Sequence, residues 1–131
     1  MRKKGGWPMT QIHLPHDHGE ASRTLAACLP EQDDFANLAE QFRQLSDGSR
    51  LRLFWLLCHC RECVTNLSAM MGMSAPAVSH HLRQLKASGL VTSHRQGKEV
   101  YYQAVDTAQA RELHRTMETM MQITCPEHSH E

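Results

Sequence analysis

Apolar residues recur every three or four positions in several stretches of the chain, a spacing typical of amphipathic helices. In residues 33–45 and 106–121 they form one stripe along an otherwise polar sequence, and we expect Asp33 and Asp106 to cap the two helices. Residues 51–57 are apolar almost all round, which predicts a helix at the centre of the fold, with Asp47 as its candidate cap. Two further stretches, 65–71 and 74–89, are separated by a short turn that contains a glycine. The pattern therefore predicts a mainly helical domain with a helix-turn-helix.

The second helix of this pair has clear start and stop signals. Ser74 can cap its first turn, Pro76 falls where a missing N–H costs little, and Gly89 can end it. One face of the helix is apolar and comprises Val78, Leu82 and Leu85. The opposite face offers donors and cations suited to base edges and phosphates, namely Ser79, His80, Arg83, Gln84 and Lys86. The alternative interpretation is an ordinary solvated helix face.

Two extended runs follow this helix. Val91, Val100 and Tyr102 are strand-forming residues, and Gln96–Gly97 is the predicted turn between the strands. Two cations flank the turn, where a wing could reach a phosphate or a minor groove: Arg95 and Lys98. A hairpin after a helix-turn-helix makes a winged helix, so the predicted fold is mainly α with a small β-hairpin wing.

The charge of this region differs from that of the whole chain. Residues 74–102 carry four cations against Glu99 alone, a net charge of 4 − 1 = +3, whereas the formal charge of the whole chain is zero. A local cationic patch on a neutral protein is typical of a DNA-binding surface. The candidate contacts to double-stranded DNA are Ser74, Pro76, Ser79, His80, Arg83, Gln84, Arg95 and Lys98.

Length and composition set the remaining limits. The 131 residues predict one domain, residues 33–124, between a partly disordered N-terminal arm (1–32) and a C-terminal tail (125–131). No stretch approaches the roughly 20 apolar residues of a membrane span, and the N-terminus lacks the apolar region of a signal peptide. Five cysteines, three of them within six residues, indicate reduced thiols rather than disulfides, so we expect a cytoplasmic protein.

Cys58, Cys60 and Cys63 are candidate metal ligands. On one straight helix Cys60 and Cys63 would be neighbours, but Cys58 would face away. The three can converge only if the helix ends near His59, which would place thiolates at the favourable start of the next helix. The alternative is that one or two are buried small hydrophobic residues, Cys58 first among them.

The N-terminal arm holds a second group of candidate ligands. Residues 13–20 are rich in imidazole and carboxylate groups, which can ligate a divalent metal, although a polar tail would have the same composition. Soft thiolates combined with imidazole favour zinc, cadmium or copper(I) over magnesium or calcium. A site built of thiolates alone would suit cadmium, lead or arsenite.

The stretch SAPAVSHHLRQLKASGLVTSHRQGKEVYYQA, with LSDGSRLRLFWLL upstream, resembles the winged-helix core of the ArsR/SmtB metal-sensing repressors. The resemblance covers residues 35–125. It implies a dimer formed by the first and last helices of the domain, which binds operator DNA. The stripe Leu113, Met117, Met120 and Met121 on the last helix, together with the helix over residues 33–45, is consistent with such a two-fold interface.

The resemblance also bears on the metal ligands. Cys63 matches the first position of the family's cysteine motif, but Thr65 and Asn66 replace the second cysteine and the acidic residue. Cys58 and Cys60 can supply the missing ligands, and His16 and His18 lie in about the register of the family's N-terminal ligands.

The family's other common site lies on the last helix, and we predict that it is absent. Asp106 is present, but its partner positions hold Ala108, Thr119 and Gln122. His114 and Glu118 are i, i+4 neighbours on this helix, and we expect a surface pair.

The sequence thus predicts a homodimeric repressor that releases its operator when zinc, cadmium or a similar ion binds. A repressor that senses oxidants or persulfides through the same thiols is the alternative. A metal buffer that does not bind DNA is a further possibility. An enzyme is not expected, because no oxyanion-hole loop or acid–base pair is visible.

Overall fold

The computed structural model describes residues 12–123. Six helices and three strands follow one another in these residues: α1 (Glu20–Ala27), α2 (Gln32–Gln44), α3 (Gly48–His59), β1 (Glu62–Cys63), α4 (Val64–Met71), α5 (Ala75–Ala87), β2 (Val91–Gln96), β3 (Glu99–Ala104) and α6 (Ala108–Met121). The prediction of a mainly helical winged helix-turn-helix is confirmed. The chain divides into two compact units at Ala39, inside α2.

The helix starts follow the capping chemistry of the sequence, with two corrections. Asp47 caps α3 by accepting a bond from the Arg50 amide (2.9 Å), and Ser74 caps α5, both as predicted. The cap of α6 is Thr107 rather than Asp106, which pairs with the Arg111 side chain instead. The prediction that Asp33 caps α2 is also wrong. The helix begins at Gln32, so Asp33 lies inside the first turn, where its charge favours the helix dipole.

The core of the second unit is built around α3, as its apolar sequence predicts. Leu53 and Phe54 are fully buried, and the remaining buried residues come mainly from α4, α5 and the start of β2. α3 packs against both α5 and α6. It therefore connects the helix-turn-helix to the last helix of the chain.

The sheet is antiparallel, with strand order β1-β3-β2. β2 and β3 pair from Val91↔Ala104 to Gln96↔Glu99, so the turn is Gly97–Lys98, one residue later than predicted. Gly97 has φ 64°, which favours glycine in a two-residue hairpin loop. The short strand β1 was not predicted, and its pairing of Cys63 with Tyr101 holds that cysteine beside the wing.

The apolar stripe of α6 divides into two parts. Met117 is buried in the core of its own chain, whereas Met120 is 79% exposed and Met121 is also exposed. Phe42, at the end of α2, lines an apolar cavity of about 270 Å³ with these three methionines. Of the three methionines in the stripe that is expected to form the interface, Met117 thus also contributes to the core of its own chain, and Met120 and Met121 are exposed.

Among residues 12–123, no helix combines the length and apolar character that crossing a membrane requires.

Candidate functional site

α5 presents the polar face that the sequence predicts. Val78, Leu82 and Leu85 anchor the helix in the core, and His80 and Arg83 on the other side are exposed. Ser74 and Pro76 are exposed at the start of the helix, Lys86 is exposed near its end, and Ser79 and Gln84 are half-buried. The exposed side chains are therefore available to contact a groove of double-stranded DNA.

Gln84 has a structural contact that the sequence did not reveal. Its Oε1 accepts a hydrogen bond of 2.7 Å from Arg50 Nη1, and Arg50 Nε donates to the Gln44 carbonyl oxygen. The contact joins α5 to the beginning of α3. Gln84 therefore helps to position the helix, and its Oε1 already has a partner.

The wing adds cations beside α5. Arg95 and Lys98 are exposed, on β2 and in the turn, and Lys86 Nζ donates to Ser93 Oγ across 2.5 Å. Arg61, which the sequence analysis did not single out, stacks over the Tyr101 ring at 5.2 Å and donates to Gln96 Oε1. Its position in the wing depends on the pairing of β1 with β3, which no local sequence pattern predicts.

Convergence of the three cysteines requires a helix end near His59, and the structure has this helix end. α3 ends at His59, Cys60 follows as its C-cap, and Cys63 stands at the N-cap of α4 without a side-chain capping bond. Cys58, Cys60 and Cys63 are all half-buried. Cys58 also packs against the core, in agreement with the alternative that it is a buried small hydrophobic residue.

Cys60 has a perturbed thiol. Burial raises its pKa, and the negative charge of Glu62 raises it further. The sulfur donates a hydrogen bond of 3.3 Å to the carbonyl oxygen of Leu56. The protonated thiol is therefore the stable form in the absence of a metal, and a metal would have to displace its proton.

The described part of the chain contains one group of three or more His, Cys, Asp or Glu side chains close enough to share an ion, and no cysteine belongs to it. The group consists of His59, His114 and Glu118, with all three ligand atoms within 4.8 Å of one another. The expectation that His114 and Glu118 form a surface pair is wrong. Their side chains are only 20% and 13% exposed, because they meet His59 at the end of α3.

His16 and His18 belong to the first unit, just before α1. Both are exposed, and their rings stack with centroids 5.8 Å apart. Asp17 between them pairs with Arg23 and accepts a bond of 3.1 Å from the Gly19 amide. The two imidazoles are thus presented side by side. Cys125, His128 and His130 lie outside the described residues.

The chain is similar to known regulatory proteins. A family model described as "bacterial regulatory protein, arsR family" matches residues 47–93. A "transcriptional repressor SmtB homolog" of Synechocystis sp. is 40% identical over 92 residues, which are 70% of this chain and 70% of that relative. The "cadmium resistance transcriptional regulatory protein CadC" of Listeria innocua is 40% identical over 70 residues, 53% of this chain and 59% of the relative, less than two thirds of its length.

The fold has a counterpart among solved structures. A homodimeric winged helix-turn-helix DNA-binding domain from Mycobacterium bovis, described as a possible ArsR-family transcriptional regulator, has a TM-score of 0.62 and 24% identity. The match covers 73% of this chain and 88% of that domain. The family model spans the segment from the cap of α3 to the first residues of the wing. The chain therefore belongs to the ArsR family of bacterial regulatory proteins, and it is a DNA-binding transcription regulator built on a winged helix-turn-helix.

Proposed function

We propose that the chain is a homodimeric repressor that binds a two-fold operator without metal and releases it when zinc or cadmium binds. The observation that carries the proposal is the arrangement of α5. One face of this helix is fixed in the core, and the other face exposes Arg83 and His80 beside the cationic wing. Base-edge readout from α5 and phosphate contacts from the wing would together define one half-site.

A dimer accounts for the exposed apolar residues. Met120, Met121 and Phe42 expose large apolar side chains around a shared cavity, and a second copy of the chain would remove them from water. The M. bovis domain with the same fold is homodimeric. Two copies would present two α5 helices to successive turns of the operator, which is why we propose a two-fold site.

Cys63, Cys60 and Cys58 are the proposed thiol ligands, and His16 and His18 the proposed imidazole ligands. The break between α3 and α4 supports this proposal, because it frees Cys60 and Cys63 from helical spacing. The name of the Listeria relative refers to cadmium resistance, and thiolate-rich sites favour that ion. Metal binding would have to favour a dimer geometry that fits DNA poorly.

The thiol proposal is tested by comparing two serine variants in an operator-binding assay with added cadmium. Cys63→Ser should fold and bind the operator like the parent but fail to release it, because a serine hydroxyl stays protonated and binds soft cations poorly. Cys125→Ser should respond like the parent. If Cys125→Ser loses the response and Cys63→Ser keeps it, the thiol ligand has been assigned to the wrong cysteine.

The same assay distinguishes metal from redox sensing. Under reducing conditions with metal present, a metal sensor releases DNA, whereas a thiol-redox sensor requires an oxidant or a persulfide donor. The raised pKa of Cys60 disfavours its thiolate and so argues against Cys60 as the reactive sulfur. Mass spectrometry of the released protein would show a disulfide or persulfide only in the redox case.

A further inference from the structure

We propose that His59, His114 and Glu118 form a binding site for a borderline divalent cation such as Zn²⁺ inside one subunit. The site is separate from the thiol and N-terminal ligands above. The metal site rests on its own geometry, and only its connection to DNA release rests on the proposed function.

The ligand atoms already lie near the spacing that a metal ion imposes. The two Nε2 atoms of His59 and His114 are 2.8 Å apart, and Glu118 lies 3.3 Å from His114 Nε2 through Oε1 and 3.8 Å from His59 Nε2 through Oε2. Nitrogen ligands at about 2.0–2.1 Å from a tetrahedral zinc ion lie roughly 3.3 Å apart. The imidazoles therefore need to separate by only about 0.5 Å, a shift within the reach of side-chain torsions.

The donor set indicates the class of ion. Two imidazoles and one carboxylate suit zinc and its first-row neighbours, whereas magnesium and calcium prefer oxygen ligands alone. Without an ion only one hydrogen bond can form between the two Nε2 atoms, and in it one ring donates and the other accepts. A cation would bind a lone pair from each Nε2, which requires the donating ring to carry its proton on Nδ1 instead.

Trp55 supports the site from the side. Its Nε1–H donates to Glu118 Oε2 (3.3 Å), and its ring lies 4.5 Å from the His59 ring. The His59 side chain is 11% exposed and that of Glu118 13% exposed. A carboxylate held in this way turns its other oxygen towards His114. Such outer contacts commonly fix the orientation of metal ligands.

The site also has access to solvent. His59 and His114 line an open cavity of about 420 Å³, which gives an ion a route to the three ligands and leaves room for water as a fourth. Cys58 and Cys60 line the same cavity. His59 and His114 therefore share this cavity at the end of α3 with two of the proposed thiol ligands, Cys58 and Cys60.

An ion at this position would join two helices with different roles. His59 is the last residue of α3, which is linked to α5 through the Arg50–Gln84 hydrogen bond. His114 and Glu118 lie on α6, the helix that carries Met120 in the proposed dimer face. Metal binding would thus set the position of α6 relative to the DNA-binding helix, which is a means of changing dimer geometry.

The metal site is tested with the full chain in which Cys58, Cys60 and Cys63 are replaced by serine, so that the three proposed thiol ligands do not compete. Zinc should still bind, and NMR of the histidine ring nitrogens should show large shifts for Nε2 of His59 and His114. Adding His114→Gln should weaken zinc binding at least tenfold. The matched control His94→Gln, an exposed histidine of β2, should leave the affinity unchanged.

Glu118→Gln provides a near-isosteric second test, because the amide keeps the size of the side chain and an oxygen for the Trp55 hydrogen bond. It should fold with an unchanged circular dichroism spectrum and weaken zinc binding at least tenfold. Shifts confined to His13, His16 and His18, or equal zinc affinity in His114→Gln and its background, would overturn the site.

Operator binding separates this proposal from the proposed function. Metal-free His114→Gln should bind the operator like the parent, because His114 lies outside α5 and the wing, and zinc should release it less effectively than the parent. Equal release would overturn the regulatory link. A parent chain that binds no operator would contradict the proposed function, while the imidazole shifts would still decide the metal site.

Discussion

Asp47 is a single carboxylate on which the start of α3 depends. Its Oδ2 accepts the Arg50 amide hydrogen at 2.9 Å and lies 3.9 Å from His81 Nδ1. The hydrogen bond from the Arg50 amide lowers the pKa of Asp47, with smaller contributions from the charges of Arg50 and His81. Burial lowers the pKa of His81, so the imidazole is held towards its neutral form. The capping bond is therefore the main stabilising contact of this carboxylate.

Removal of the Asp47 cap should lower the free energy of unfolding by an amount that depends on pH. Asp47→Ala should lose about 1 kcal/mol of unfolding free energy at neutral pH, and Asp47→Asn less, because asparagine also caps. The pKa of Asp47 is lower in the folded chain than in the unfolded chain. Its contribution to the free energy of unfolding is therefore fully present above the ordinary aspartate pKa and is lost as the pH falls through the lowered value. Urea unfolding at stepwise lower pH should show the difference between the parent and Asp47→Ala shrinking. A difference that stays constant in acid would contradict the assignment.

Arg83 is the residue on which we expect the proposed DNA-binding role of α5 to depend most. It is exposed on the polar face of the helix, and no hydrogen bond within the described residues fixes its guanidinium. Arg83→Ala should weaken operator binding by about 1–3 kcal/mol, roughly 5- to 150-fold, and leave the oligomeric state unchanged. Unchanged affinity at fixed salt would remove α5 from this role. As a contrast, Lys98→Ala in the wing should mainly reduce the salt dependence, by about one unit of slope.

At the scale of elements, the apolar stripe of α6 has a buried part and an exposed part. Met117 packs in the core of its own chain at 8% exposure, while Met120 is largely exposed three residues later. Met117→Ala should therefore lower the unfolding free energy by roughly 2–5 kcal/mol, because a buried side chain is truncated. Its effect should be measured by denaturant unfolding.

Met120→Glu should act on assembly instead. A carboxylate in an apolar dimer interface has no partner, so the dimer should dissociate while the fold of each chain is kept. Sedimentation should show a monomer with an unchanged circular dichroism spectrum. A dimer that persists in Met120→Glu would show that the exposed end of α6 does not form the interface.

The helix-turn-helix and the hairpin could be predicted because their signals are local. Ser74, Gly89 and the spacing of Val78, Leu82 and Leu85 act within one or two helical turns. β1 could not be predicted, since two residues carry no period and their pairing with β3 joins positions almost forty residues apart. The metal-ligating group was missed for the same reason. The His114–Glu118 pair is visible as i, i+4 spacing, but His59 is 55 residues away and meets them only through the packing of α3 on α6.

At the scale of the whole molecule, α3 connects the DNA-binding helix α5 to the last helix α6, and regulation would depend on both. It carries Arg50, which binds Gln84 of α5, and it ends at His59 beside α6. Of the proposed thiol ligands, Cys58 lies in the last turn of this helix, and Cys60 and Cys63 follow its end. Metal binding near His59 would thus act at the junction between the DNA-binding helix and the last helix. For a coupling of about 1–3 kcal/mol, operator affinity would change roughly 5- to 150-fold.

The most direct test of this account is a metal titration of the complex between the full chain and operator DNA from its own promoter, followed by fluorescence anisotropy at fixed salt. Zinc or cadmium should raise the dissociation constant roughly 5- to 150-fold, and a chelator should restore it. An operator affinity that stays the same while the protein in the same sample binds metal would contradict the account.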